Sequence, residues 1–218
     1  MFLNLHTHSE SDDNNVIEIV NQYPFEFNAD VKMFSIGIHP WHINKVNIDA
    51  EMGIINIISQ TEKCVAIGEC GLDKRIEIPF HLQEEVFEMQ LDLAQKSNMP
   101  VIIHCVSAYN EVIAIKNRMK VTVPLIIHGF SKNLEISKQL LDHGFYLSFG
   151  KYLLRNPDLK DVFKAVPDDR LFLETDTIEE SISDVYNRAS EYKNITIDEL
   201  QNITQKNFKT VFRNGRMD

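Results

Sequence analysis

The sequence predicts a single (β/α)8 barrel of the TIM type over residues 1–218, on three observations. Short β-branched and apolar runs recur at intervals of roughly 20 to 35 residues, helix-forming stretches lie between them, and the polar residues that interrupt the pattern share one address. That address is the carboxyl end of each predicted strand, where barrel enzymes keep their chemistry. A doubly wound open sheet is the structural alternative, and 218 residues sits at the compact end of the barrel range.

The strands are expected at Phe2–His6, Val16–Val20, Phe34–Ile38, Val65–Glu69, Val101–Cys105, Leu125–His128, Phe145–Phe149 and Leu171–Glu174. Most are apolar almost throughout, as strands covered on both faces should be. Phe80 to Ser97 carries Val86, Met89 and Leu93 at helical spacing and stops before Pro100. Asn133 to Leu141 reads as a helix with Asn133 as N-cap and Gly144 just past its end. Ile197 to Phe212 fits one more amphipathic helix. No repeat or linker divides the chain.

With 44% apolar and 25% charged residues, the composition excludes a collagen-like or wholly disordered chain. The net charge of −10 gives the surface no general attraction for a polyanion, so any nucleic acid contact is expected to be local. No apolar run is long enough to span a membrane and the first residues lack the pattern of a signal peptide, so a cytoplasmic protein is expected, with a monomer as the default state. Cys64, Cys70 and Cys105 are odd in number, widely spaced and without a CxxC, which points to reduced core thiols.

His6 and His8 stand two apart at the end of the first strand, so both rings fall on one side of the sheet and two imidazoles can grip one cation. Alone, an HxH pair is a weak signal. Glu69, His104, His128 and Asp176 occupy corresponding places on later strands, and strand alternation lets each of them point inward. Isolated groups of this kind are costly to bury without a partner, so one could be a core hydrogen bonder; six at matching positions suggest a common purpose. Four His, one Glu and one Asp form a nitrogen and oxygen set suited to Zn2+, Mn2+ or Mg2+. Six residues serve two ions if one carboxylate is shared, with Glu69 as the natural bridge. Two such ions imply hydrolysis, in which Asp176 also accepts the proton of the attacking water.

The ordered set of motifs, His6-Thr7-His8, Gly37-Ile38-His39-Pro40, Gly68-Glu69-Cys70-Gly71-Leu72-Asp73, Pro100 to His104, His128-Gly129-Phe130-Ser131, Gly144 to Ser148 and Glu174-Thr175-Asp176, resembles the TatD family of metal-dependent hydrolases. The resemblance runs nearly end to end. It implies an amidohydrolase-like barrel, a two-metal site at the six residues above and metal-dependent DNase activity, of a 3′–5′ exonuclease kind on single strands. It also implies that His39 lies beside the metals to hold substrate or a ligand.

Two departures bear on the substrate. Where family members often carry Arg two residues after the fifth-strand His, this chain has Val106, and Thr177-Ile178 follow Asp176 where many have Ser-Pro. Lys74 and Arg75, after Glu69, are the best replacements as phosphate contacts; Lys132, Lys151 and Arg155 are further loop cations. Trp41 offers a ring for stacking on an unpaired base or simply for packing. DNA is therefore the leading substrate. An amide or ester hydrolase acting on a small molecule is the alternative, since the same ions polarise carbonyls and phosphoryls alike.

Overall fold

In a computed structural model that describes residues 1–212, eight strands form one sheet in the order β1 to β8. They are β1 Phe2–Thr7, β2 Val16–Gln22, β3 Phe34–Ile36, β4 Cys64–Asp73, β5 Val101–Val106, β6 Leu125–Ile127, β7 Tyr146–Phe149 and β8 Leu171–Leu173. The helices are α1 Ile48–Ile58, α2 Phe80–Ser97, α3 Tyr109–Met119, α4 Leu134–Asp142, α5 Lys151–Arg155, α6 Leu159–Ala165, α7 Ile182–Lys193 and α8 Ile197–Val211. Pairing is parallel. A bridge between Thr7 and Asp176 joins the end of β8 back to β1, which makes the fold a (β/α)8 barrel. No helix among the described residues is long and apolar enough to cross a membrane.

The elements group into two units. Among the described residues, one comprises residues 1–20 with residues 127–212. Its anchor is Tyr186 of α7, whose hydroxyl donates to Leu3 O (3.1 Å), accepts from Leu3 N (3.2 Å) and meets Thr204 of α8 (2.7 Å). Burial pushes that phenol up to about 12. Asn207 of α8 donates to the carbonyls of Asp168 and Leu171, fixing the entry to β8. Ser181 and Thr196 each close a capping box, with Asp184 and Glu199, at the starts of α7 and α8.

The other unit is Asn21–Ile126. Here α2 packs on β4 through Val86, Phe87, Leu91 and Ala94, all buried. Its inner face also carries Gln83 and Gln90, seven residues apart and therefore on one side of the helix. Gln90 accepts from Ile38 N (2.7 Å) and donates to Ile38 O (3.2 Å). Gln83 accepts from Asp73 N (2.8 Å) and donates to Ile78 O (2.8 Å). Two buried amides thus hold the backbone just before His39 and at Asp73.

Several expected boundaries move. Strand β3 stops at Ile36 because Gln90, rather than a neighbouring strand, takes both polar groups of Ile38. Strand β4 continues four residues past Glu69, which lies inside it. The register slips between Ile67 and Cys70, and pairing resumes as Gly71 with His104 and Asp73 with Val106. Gly71 (φ +142°) allows this: a Cβ there would lie 2.1 Å from His104 O. The helix over Phe80–Ser97 has the expected bounds, and α4 starts beside Asn133, whose side chain accepts from Ile136 N.

Candidate metal centre

In the first unit, the end of β1 and the turn after β8 bring His6, His8 and Asp176 together. Asp176 Oδ1 lies 3.7 Å from His6 Nε2 and 3.4 Å from His8 Nε2, and the two imidazole rings stand 5.1 Å apart and nearly perpendicular. Asp176 has left-handed backbone (φ +58°), a conformation Asp tolerates better than most side chains. Reciprocal bonds between the Asn4 side chain and Thr175, both 2.9 Å, and from Asp176 N to His6 O, hold that turn against β1. His128 places its ring 4.5 Å from that of His6 and its Nδ1 3.4 Å from Glu174 Oε1, which also accepts from Gly129 N.

In the second unit, β4, β5 and the turn after β3 bring together Glu69, His104 and His39. Glu69 Oε1 lies 2.9 Å from His104 Nδ1 and 3.1 Å from His39 Nε2. The Glu69 amide donates to Asn21 Oδ1 (2.7 Å), so the buried carboxylate stands on a fixed backbone. Beneath His104, Asp73 Oδ2 stands 3.5 Å from Nε2, the carboxylate support typical of a ligating histidine. Asp73 accepts two further bonds, from Trp41 Nε1 (2.8 Å) on Oδ2 and from Arg75 N (2.8 Å) on Oδ1. Burial alone would raise the Asp73 carboxyl, but these donors and the nearby His104 outweigh it and hold it below the ordinary aspartate range.

Both groups have the chemistry of a divalent-cation site. In each, three side-chain nitrogen or oxygen atoms of histidine and carboxylate lie within 4.8 Å of one another. Two ligands of a tetrahedral ion at ~2.1 Å each stand about 3.4 Å apart, the spacing of His8 and Asp176. His39 differs from the rest. Its Nδ1 accepts from Trp41 N (3.1 Å), so the proton of the neutral ring sits on Nε2 and faces Glu69. In that tautomer Nε2 is a hydrogen-bond donor.

Of the loop cations, Lys74 is engaged by Glu111 (2.5 Å), whose carboxyl it holds below the usual range, and Arg155 pairs with both oxygens of Glu180. Arg75 is exposed. The three cysteines are buried and none is in a disulfide. Sequence reasoning gave no role to Asp73, Gln83, Gln90, Asn4 or Thr175. The available signal was polar side chains in register with apolar ones on buried faces, as with Gln83 and Gln90 beside Val86 and Phe87.

The TatD related DNase family matches residues 1–213. A Bacillus subtilis protein named as an uncharacterized metal-dependent hydrolase, YabD, is 33% identical over 215 residues, covering 90% of this chain and 81% of its own. A 3′-5′ ssDNA/RNA exonuclease TatD of Pantoea ananatis is 31% identical over 156 residues, 69% of this chain and 60% of that protein. Among solved structures, the TatD homolog YJJV from Escherichia coli superimposes with a TM-score of 0.82 at 21% identity, covering 97% of this chain and 98% of the other.

Proposed function

This chain belongs to the TatD family of metal-dependent hydrolases, and from that membership and its two donor groups we propose that it is a divalent-metal-dependent phosphodiesterase trimming single-stranded DNA from the 3′ end. The observation that carries the proposal is the repeated pattern of histidines around a carboxylate, Asp176 in one unit and Glu69 in the other. The nuclease step leans on the relatives named as exonucleases.

In this reading His6, His8, Glu69, His104, His128 and Asp176 hold two ions, Mg2+, Mn2+ or Zn2+. When bound, these supply Lewis acidity toward a phosphoryl oxygen and lower the pKa of water. Asp176 accepts the proton of the attacking water, and its 27% side-chain exposure lets it meet one. Glu69, buried and anchored through Asn21, is the second catalytic carboxylate. His39 Nε2, which faces Glu69, donates to a non-bridging phosphate oxygen only by releasing that carboxylate. Arg75 meets a neighbouring phosphate, while Lys74 joins it only by leaving Glu111.

The test is a labelled single-stranded oligonucleotide with each metal in turn, beside His104→Ala and Asp176→Asn. Stepwise shortening from the 3′ end, abolished by a chelator and lowered at least a thousandfold by either substitution, is expected. Val106 and the net charge of −10 favour the second reading, a small-molecule amide or ester hydrolase. Metal-dependent turnover of activated esters with intact DNA would select it.

A further inference from the structure

We propose that Trp41 is a stacking platform for an unpaired nucleobase, held open beside the Glu69 and His104 group by the buried carboxylate of Asp73. This deepens the nuclease reading above and rests on it. Trp41 is 56% exposed, so its ring adds little to the core. Yet it is tightly held. The indole N–H is donated to Asp73 at 2.8 Å and the backbone N–H to His39 at 3.1 Å. The ring lies 5.1 Å from the His39 ring at 89° and 5.8 Å from the His104 ring at 76°.

A large aromatic side chain locked in place with much of its surface in water is preorganised for a flat partner, because little rotamer freedom remains to be lost on binding. Its neighbours identify the partner. The rings of His39 and His104, a proposed substrate contact and a proposed ligand, both touch the Trp41 ring, and Asp73, through its other oxygen, also holds the backbone of Arg75. The Arg75 guanidinium makes no ion pair among the described residues. One buried carboxylate therefore fixes the Trp41 indole and the backbone that carries the unclaimed Arg75 cation, the aromatic face and the charge a nucleotide needs for its base and its phosphate. A base in a duplex has its faces covered by neighbours, so this platform selects single strands. Asp73 is a positioning residue here, acting through Trp41.

Trp41 is the only tryptophan of the chain, so its emission reports this place alone. The metal-loaded protein is titrated with a cleavage-resistant phosphorothioate thymidylate 12-mer and with its abasic counterpart. Saturable quenching by the first and little by the second is expected. In steady-state cleavage of an ordinary thymidylate oligomer, Trp41→Ala should raise KM about 5- to 150-fold, more than it lowers kcat, the ratio expected for one stacked base. Trp41→Phe, which keeps a ring but loses the bond to Asp73, should recover only part of that loss, the remainder measuring what Asp73 contributes through the indole, and serves as the folding control. Equal quenching by both oligomers, no quenching by either, or an unchanged KM in Trp41→Ala overturns the proposal. Quenching without any cleavage would leave the platform standing and sink the nuclease reading. Cleavage with an unchanged KM would do the reverse.

Discussion

Replacing Gln90 by Met tests whether a buried amide on α2 sets the position of His39. The Gln90 side chain is fully buried and its two ends bind the N–H and C=O of Ile38, the residue directly before His39. Methionine keeps the length and the packing but supplies neither bond. Two buried backbone groups are then left unpaired, each at a cost of about 1–3 kcal/mol. The expected loss is ~2–6 kcal/mol, a large part of the ~5–15 kcal/mol that usually separates folded from unfolded chains. Urea denaturation at constant slope measures it as a shift of the midpoint. Activity should also fall at least tenfold at a temperature where the variant is still folded, because the turn carrying His39 and Trp41 loses its tether. A midpoint shift worth less than 1 kcal/mol refutes the energetic argument. Full activity in a folded but destabilised variant refutes the claim that Gln90 positions His39.

Other expectations follow from single features. Glu51 is 93% buried, its Oε2 has no hydrogen bond, and burial raises its pKa above the ordinary 4.5. The folded state thus binds this proton more readily than the unfolded one, and the contribution of Glu51 to stability declines as pH climbs past about 4.5. Glu51→Met should therefore raise Tm at pH 8, by roughly 2–8 °C, with the gain shrinking toward pH 4; a gain independent of pH would contradict this. Gly71→Ala forces a Cβ onto His104 O and should cost ~3 kcal/mol or more together with activity. Gly53→Ala, on an exposed face of α1 with nothing within 4 Å of the new Cβ, should instead add about 0.5–1 kcal/mol, and thermal melts of the two variants check both signs.

The parts of this protein legible from sequence are those set by local periodicity. Phe80–Ser97 shows its bounds through apolar spacing and the Pro100 that follows it, and Asn133 shows its cap because Asx side chains bond the next turn wherever a helix begins. The histidines and carboxylates were legible for a different reason: a charged or imidazole group ending an apolar run violates the strand pattern that surrounds it. Strand ends were less visible. Nothing in Ile36-Gly37-Ile38 says that a glutamine more than fifty residues later will take the place of a neighbouring strand, and nothing in Val65–Glu69 says that glycine conformation will let β4 run on to Asp73.

What periodicity hides is the layer of polar residues that hold the donors. Asn4 with Thr175, Asn21 with Glu69, Gln83 with Asp73 and Gln90 with Ile38 are pairings of sequence-distant residues, and each member alone looks like an ordinary amide or hydroxyl. Their burial is what makes them informative. A buried amide is tolerated only when its bonds are made, so each fixes a backbone point to within a few tenths of an ångström of those bonds. The points so fixed at Thr175, Glu69, Asp73 and Ile38 each lie within two residues of a proposed ligand, base or substrate contact. The core therefore does more than support the fold: its polar members concentrate where side chains must keep their aim, and substitutions there should separate stability from catalysis less cleanly than those in the apolar layer of α2.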